Sequence, residues 1–215
     1  MQKKLSLRID IVSDVVCPWC VIGYYRLQKA LDDFTDTIEP TINWLPFELN
    51  PDMPAEGQNL REHIAEKYGT TPEESIAARQ QITALGADVG FTFDYFDDMR
   101  MVNTFHAHRL LHWAANEGKQ NALSLQLFEA FFSQRKDVSS FDVLIAAADK
   151  VGLNTYAARD VLAKQTYADE VRQLEQAIVD KGVRGVPLFI FNGEHVISGA
   201  QEVGAFRGVL QQLLQ

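Results

Sequence analysis

The sequence predicts an α/β protein in which a sheet framework is interrupted by a large inserted α-helical block. Three observations lead there. An alternating strand near the start runs straight into a helix, residues 55–165 carry almost only helical periodicity, and the chain closes with two β-rich runs followed by an amphipathic helix. The framework is then assigned to residues 1–54 and 166–215 and the insert to residues 55–165.

Each element has its own signal. Leu5, Leu7, Ile9 and Ile11 alternate with Ser6, Arg8 and Asp10, the period of a strand. Tyr24, Leu27, Leu31 and Phe34 then recur at helical steps. Ile42, Trp44, Leu45 and Phe47 supply β-branched and aromatic bulk for a second strand, which the breaker-rich NPDMPAEG ends. In the block, Leu60, Ile64 and Tyr68 share a helix face that stops at Gly69, and Thr71 to Glu74 reads as a capping box with proline at the first helical position. NTFHAHRLLHWAANEG, ALSLQLFEAFF, SFDVLIAAADKVG and NTYAARDVLA read as further helices, two of them opened by asparagine. Val171, Leu174 and Ile178 form one stripe of a helix ending at Gly182. Asn192-Gly193 joins the last two strands, because both residues tolerate positive φ, and Val203, Phe206 and Leu210 mark the final helix.

Both cysteines of the chain lie in VVCPWCVIG, as Cys17 and Cys20. Two cysteines are too few for a disulfide scaffold or a four-thiolate zinc site. What remains is redox chemistry, a mixed Cys/His metal site completed by His108 and His112, or packing. The strand-then-helix context favours redox chemistry. At a helix start the unpaired backbone N–H groups favour a thiolate on Cys17, the expected nucleophile, while Cys20, one turn further in, is placed to resolve a mixed disulfide. Pro18 suits the first turn, and Trp19 is expected to form an apolar surface beside the sulfurs.

The 215 residues carry a formal charge of −9, with acidic and basic side chains interspersed, so no basic patch invites nucleic acid. No apolar run reaches the ~20 residues that cross a bilayer. The N-terminal segment builds no signal-peptide core, so a cytoplasmic setting is expected.

DIVSDVVCPWCVIG, NTFHAHRL and GVRGVPLFIFNGEHVISGAQ, in that order across the whole chain, resemble the DsbA-like thioredoxin superfamily and its FrnE-like subgroup. The resemblance implies a thioredoxin fold with an inserted helical domain and thiol–disulfide oxidoreductase activity through Cys17 and Cys20. It implies a cis bond between Val186 and Pro187, with Val186 and Pro187 facing the cysteines as a substrate-binding loop, and no bound cofactor. The expected partner is a protein thiol or disulfide, or a small thiol such as glutathione as co-substrate. Pro-Trp stands between the cysteines where periplasmic members commonly have Pro-His, so no redox potential carries over.

Other roles are open at this level. With the insert folded over the cysteine helix, His108 would line the cleft and contact substrate; His106, His108 and Arg109 otherwise decorate a helix that Asn103 caps. Asp10 or Asp14 would accept the proton of the buried sulfur, a choice that spacing alone does not make. A glutathione-dependent kappa-type transferase or 2-hydroxychromene-2-carboxylate isomerase is the alternative enzyme, for which Cys20 would be dispensable. A partner-binding or chaperone module would need neither cysteine.

Overall fold

The computed structural model describes residues 4–215; the first three residues of the segment read above for an export signal lie outside them. Strand β1 (Leu5–Ser13) leads into helix α1 (Pro18–Leu31), and β2 (Ile38–Pro46) returns parallel to β1, pairing Leu5 with Ile38 through to Ser13 with Pro46. At the other end of the chain β5 (Leu188–Phe191) lies antiparallel to β1, and β6 (His195–Ser198) antiparallel to β5. The sheet order is β2-β1-β5-β6.

The alternation in β1 separates the two faces. Leu7, Ile9 and Ile11 are fully buried, and Ile9 and Ile11 stand opposite Phe191 and Phe189. On this face Phe189 meets Phe206 of α9 (Val203–Leu213) edge-on, with ring centroids 4.9 Å apart. Helix α1 crosses here at Gly23. On the other face Val12 and Phe47 pack with Ile178 of α8 (Ala168–Asp180).

Between β2 and α8 run β3 (Gln58–Asn59), α2 (Leu60–Tyr68), α3 (Pro72–Val89), β4 (Arg100–Met101), α4 (Phe105–Asn116), α5 (Gln120–Phe132), α6 (Phe141–Lys150) and α7 (Thr155–Ala163). The local signals act as expected. Thr71 and Glu74 close a capping box, Gly69 ends α2 at φ 67°, and the Asn154 side chain accepts from Ala157 N–H. These helices share one apolar core with the α1 side of the sheet. Trp44 is the joint. Its ring lies 5.3 Å from Tyr24 and 5.6 Å from Phe128, while the Gln120 side chain accepts from its backbone N–H and donates to its carbonyl, each at 2.9 Å. Gln120 thereby occupies backbone groups that an edge strand would otherwise leave open.

Four expectations need correction. The block is not helical throughout: β3 and β4 pair antiparallel, and residues 91–99 form neither helix nor strand while burying Phe91, Phe93 and Met99. Asn103 acts one position early, since Thr104 is the N-cap of α4 and Asn103 Oδ1 accepts from Phe105 N–H. Leu174 is only half-buried on α8, where Glu175 is buried instead. Arg109 does not decorate α4. It is completely buried, and donates to the carbonyls of Val161, Leu162 and Thr166, tying down the end of α7. Among the described residues no helix is long and apolar enough to cross a membrane.

Candidate active site at the cysteine helix

Cys17 is the N-cap of α1, in extended backbone conformation, with Pro18 at the first helical position. The loop before it is tied by Cys17 N–H to Asp14 C=O at 3.0 Å, and the first turn closes with Cys20 N–H to Cys17 C=O at 3.1 Å. Both thiols are free. The Cys17 thiol donates to the carbonyl of Val186 at 3.7 Å, and the Val186–Pro187 bond is cis. The residues drawn from opposite ends of the chain therefore meet. Trp19 is 39% exposed beside them.

Cys17 is itself 2% exposed against 0% for Cys20, so their difference lies in position more than in bulk accessibility. Cys20 lies inside the first turn, where burial pushes its thiol well above the ordinary value and the neighbouring Cys17 adds to the rise. The Ser13 hydroxyl and the Asp14 backbone offset part of it. Tyr68 and Tyr95, from the stretch between β2 and α8, are raised by burial first and by the electrostatic influence of Cys17 second. Nothing in their spacing connected these tyrosines, or Ser13, to the cysteines.

The carboxylates separate cleanly. Asp10 lies on the α8 side of the sheet, clasped by Arg8 at 2.7 and 2.8 Å and by Asn43 at 2.9 Å, where it serves packing across the strands and no sulfur. Asp14 is 1% exposed; its Oδ2 accepts from Leu49 N–H at 2.8 Å and its Oδ1 lies 3.5 Å from His108 Nε2. His108, expected to touch substrate, is 4% exposed and faces Asp14, because α4 packs its Ala107, Leu111 and His108 side inward. Burial opposes charge on His108, yet Asp14, with Glu175 and Glu48 beyond it, outweighs that and raises the imidazole. His112 turns to the ring of Tyr167, centroids 5.0 Å apart. Among the described residues no three His, Cys, Asp or Glu side chains converge as a metal site.

The arrangement offers a thiol at a helix start, a second thiol buried one turn behind it, and a carbonyl opposite the first that accepts from it. Comparison with known proteins points the same way. The family model for the DSBA-like thioredoxin domain matches residues 8–211. A probable DsbA oxidoreductase from Streptomyces coelicolor is 33% identical, with a TM-score of 0.88 over 96% of this chain and 89% of that one. The uncharacterized protein YwbO of Bacillus subtilis (strain 168) is 26% identical over 91% of this chain and 92% of its own. The cytosolic disulfide reductase DsbM of Pseudomonas aeruginosa with GSH, at 15% identity, shares the fold with a TM-score of 0.64 over 98% of this chain and 99% of that one.

Proposed function

The chain belongs to the DSBA-like thioredoxin domain family, and on that premise we propose that it exchanges disulfides through Cys17 as nucleophile and Cys20 as resolving thiol. The observation that carries the reading is the placement of the two sulfurs: Cys17 at the N-cap of α1 against the Val186 carbonyl, Cys20 completely buried one turn behind. In the reducing direction the Cys17 thiolate attacks one sulfur of a substrate disulfide. A bond forms between Cys17 and that sulfur, and the other sulfur leaves with the electron pair and takes a proton. Cys20 then gives up its proton and attacks Cys17; the mixed disulfide breaks, the substrate leaves as its second thiol, and Cys17–Cys20 is the new disulfide. The substrate gains two electrons, the pair loses two, and the reverse sequence oxidises a dithiol.

The substrate loop in this reading is Val186–Pro187, where an extended peptide would add to the backbone of Val186, with Trp19 as the apolar wall. Residues 55–165 act as an inserted cover, supported by the one apolar core that their helices share with Cys17, Cys20 and the α1 side of the sheet. Glutathione, the small thiol in the DsbM structure, is the proposed small co-substrate, and the cytosolic setting of that protein and the FrnE-like subgroup belong to the same proposal. Against the kappa-type transferase stands Cys20, which such chemistry does not need.

Equilibration with a graded glutathione buffer, acid quenching and alkylation tests the reading. A reversible two-electron transition between dithiol and Cys17–Cys20 disulfide is expected. A pair that stays fully reduced in oxidised glutathione at every ratio would overturn it.

A further inference from the structure

The sheet has one closed face and one half-open face. Phe189, Phe191 and, opposite Phe189, Ile197 point to the α1 and α9 side and are buried. By the period of a strand Leu188, Ile190 and Val196 point the other way, where α8 packs over the β1 and β2 end through Ile178 on Val12 and Phe47. Leu188 and Ile190 are half-buried and Val196 is 56% exposed. An apolar sheet face is ordinarily closed by a second layer. This half of it instead floors an open groove of about 960 Å³.

The groove begins at the cysteine site. Val186 and Pro187 line it, and the Val186 carbonyl is the group that accepts from the Cys17 thiol. Its rim is cationic, with Lys181 and Arg184 from the segment between α8 and β5, and Arg8 from β1. Among the described residues Asp10 is the one acid that lines it, and Arg8 and Asn43 already hold that carboxylate. Arg184 donates to the carbonyls of Val179 and Val183, and among the described residues neither it nor Lys181 pairs with a carboxylate. A chain of formal charge −9 thus sets two uncommitted positive charges beside an apolar floor. Within the ~8 Å over which salt leaves charges visible, they draw anions and turn cations away. Small-molecule sites span ~300–1,000 Å³, so the groove has room for several residues of extended chain.

On the reading that Cys17 carries the exchange, we propose that this groove docks the segment of a protein substrate next to its reacting cysteine, and selects segments in which acidic side chains stand beside apolar ones. The extended segment runs from Val186 along the α8 face of the sheet. Its apolar side chains lie on Leu188, Ile190 and Val196, and its carboxylates face Lys181 and Arg184. Glutathione brings carboxylates but no apolar side chain, so the floor adds nothing to its binding. Docking holds the substrate sulfur near Cys17 and leaves the chemistry to the cysteines.

Two measurements separate docking from chemistry. Both use a synthetic peptide that alternates glutamate with leucine around a single cysteine, and a counterpart with lysine for every glutamate. For docking, the cysteine is replaced by serine and each peptide is titrated into isotope-labelled protein at low salt. The acidic peptide should shift the amides of residues 181–190 and 196, and added salt should release it; the lysine peptide should leave them in place. Shifts confined to other faces, or equal shifts with both peptides, would overturn the docking whatever the cysteines do. For selection, each peptide carries its cysteine as a mixed disulfide with thionitrobenzoate and meets the Cys20→Ser protein. Cys17 bonds to the peptide sulfur and thionitrobenzoate leaves with the electron pair, its colour timing the attack. The acidic peptide should react about 10-fold faster, within the range of electrostatic steering. With Lys181→Glu and Arg184→Glu added, both at exposed positions, the preference should reverse. Lys181→Glu alone should narrow the gap, and serves if the double reversal does not fold. Equal rates in Cys20→Ser, or a preference that the charge reversals leave untouched, would overturn the selection. Hydroxyethyl disulfide, small and uncharged, tests the exchange reading by itself. If Cys17 attacks neither it nor the peptides, that reading falls, while the titration still decides the groove.

Discussion

The Cys17 sulfur lies 3.7 Å from the carbonyl oxygen of Val186. That contact joins the start of α1 to the loop before β5, and it leaves the carbonyl facing the atom at which exchange is proposed.

Cys17 should be alkylated before Cys20. The Cys20 thiol is held well above the ordinary range by burial and by its neighbour, so at mildly acidic to neutral pH it offers little thiolate. Brief treatment with iodoacetamide followed by peptide mapping should place the first label on Cys17; a first label on Cys20 would reverse the roles.

Gly23→Ala should destabilise the protein by about 1–2 kcal/mol even though alanine favours a helix. A Cβ there would stand 2.9 Å from Cζ of Phe189 and 3.3 Å from Cα of Ala200. Phe189 is fully buried against Phe206 and has no room to yield. Urea unfolding measures the loss, and a gain in stability would show that α1 is free to slide over the sheet.

Arg109→Met should cost on the order of 3 kcal/mol, because it removes charge-assisted bonds to three carbonyls at and just after the end of α7 in a buried site, leaving Val161 and Leu162 with backbone donors such as those of Thr166 and Gln165. Val161, Leu162 and Thr166 lose their bonds together. Thermal unfolding and amide exchange at residues 155–166 report it; a neutral substitution would place water at that helix end.

Stability should fall as pH rises from the ordinary carboxylate range towards neutrality. Burial, then the neighbouring Glu175, pushes Glu48 up to about 7 against the pull of Arg172. The folded chain therefore keeps a proton that the unfolded chain has released between those values, which weakens the fold across that window. His108 acts in the same direction at higher pH: its raised imidazole contributes stability below its ordinary value, and that contribution is lost as pH climbs past the raised one. In Glu48→Gln the lower part of the slope should vanish. Urea midpoints taken between about pH 4.5 and 8 decide it; an unchanged slope would assign it to other groups.

What could be read in the chain and what could not have different physical origins. Strand β1, the capping box at Thr71, the turn at Asn192-Gly193 and the cysteine helix depend on neighbours within a few residues, and they stand where the pattern puts them, whereas β2 runs Ile38–Pro46 and leaves Phe47 beyond its end. The alternation of Phe91, Phe93 and Tyr95 was also present, but a helical reading of the block passes over it, and these residues lie in extended loop. The facing of His108 and Asp14 depends on how α4 packs against β2, and no local pattern encodes it. The same holds for Arg109 against the carbonyls of Val161 and Leu162: it is positioned by packing between segments distant in sequence.

The central claim, attack by Cys17 and resolution by Cys20, is tested most directly by trapping. Cys20→Ser and Cys17→Ser proteins are recovered from acid-quenched cells, and the mass released from each by a reductant is measured. Cys20→Ser should carry protein or glutathione in mixed disulfide on Cys17, and Cys17→Ser little or none. Equal trapping by the two variants, or trapping by neither, would contradict the account.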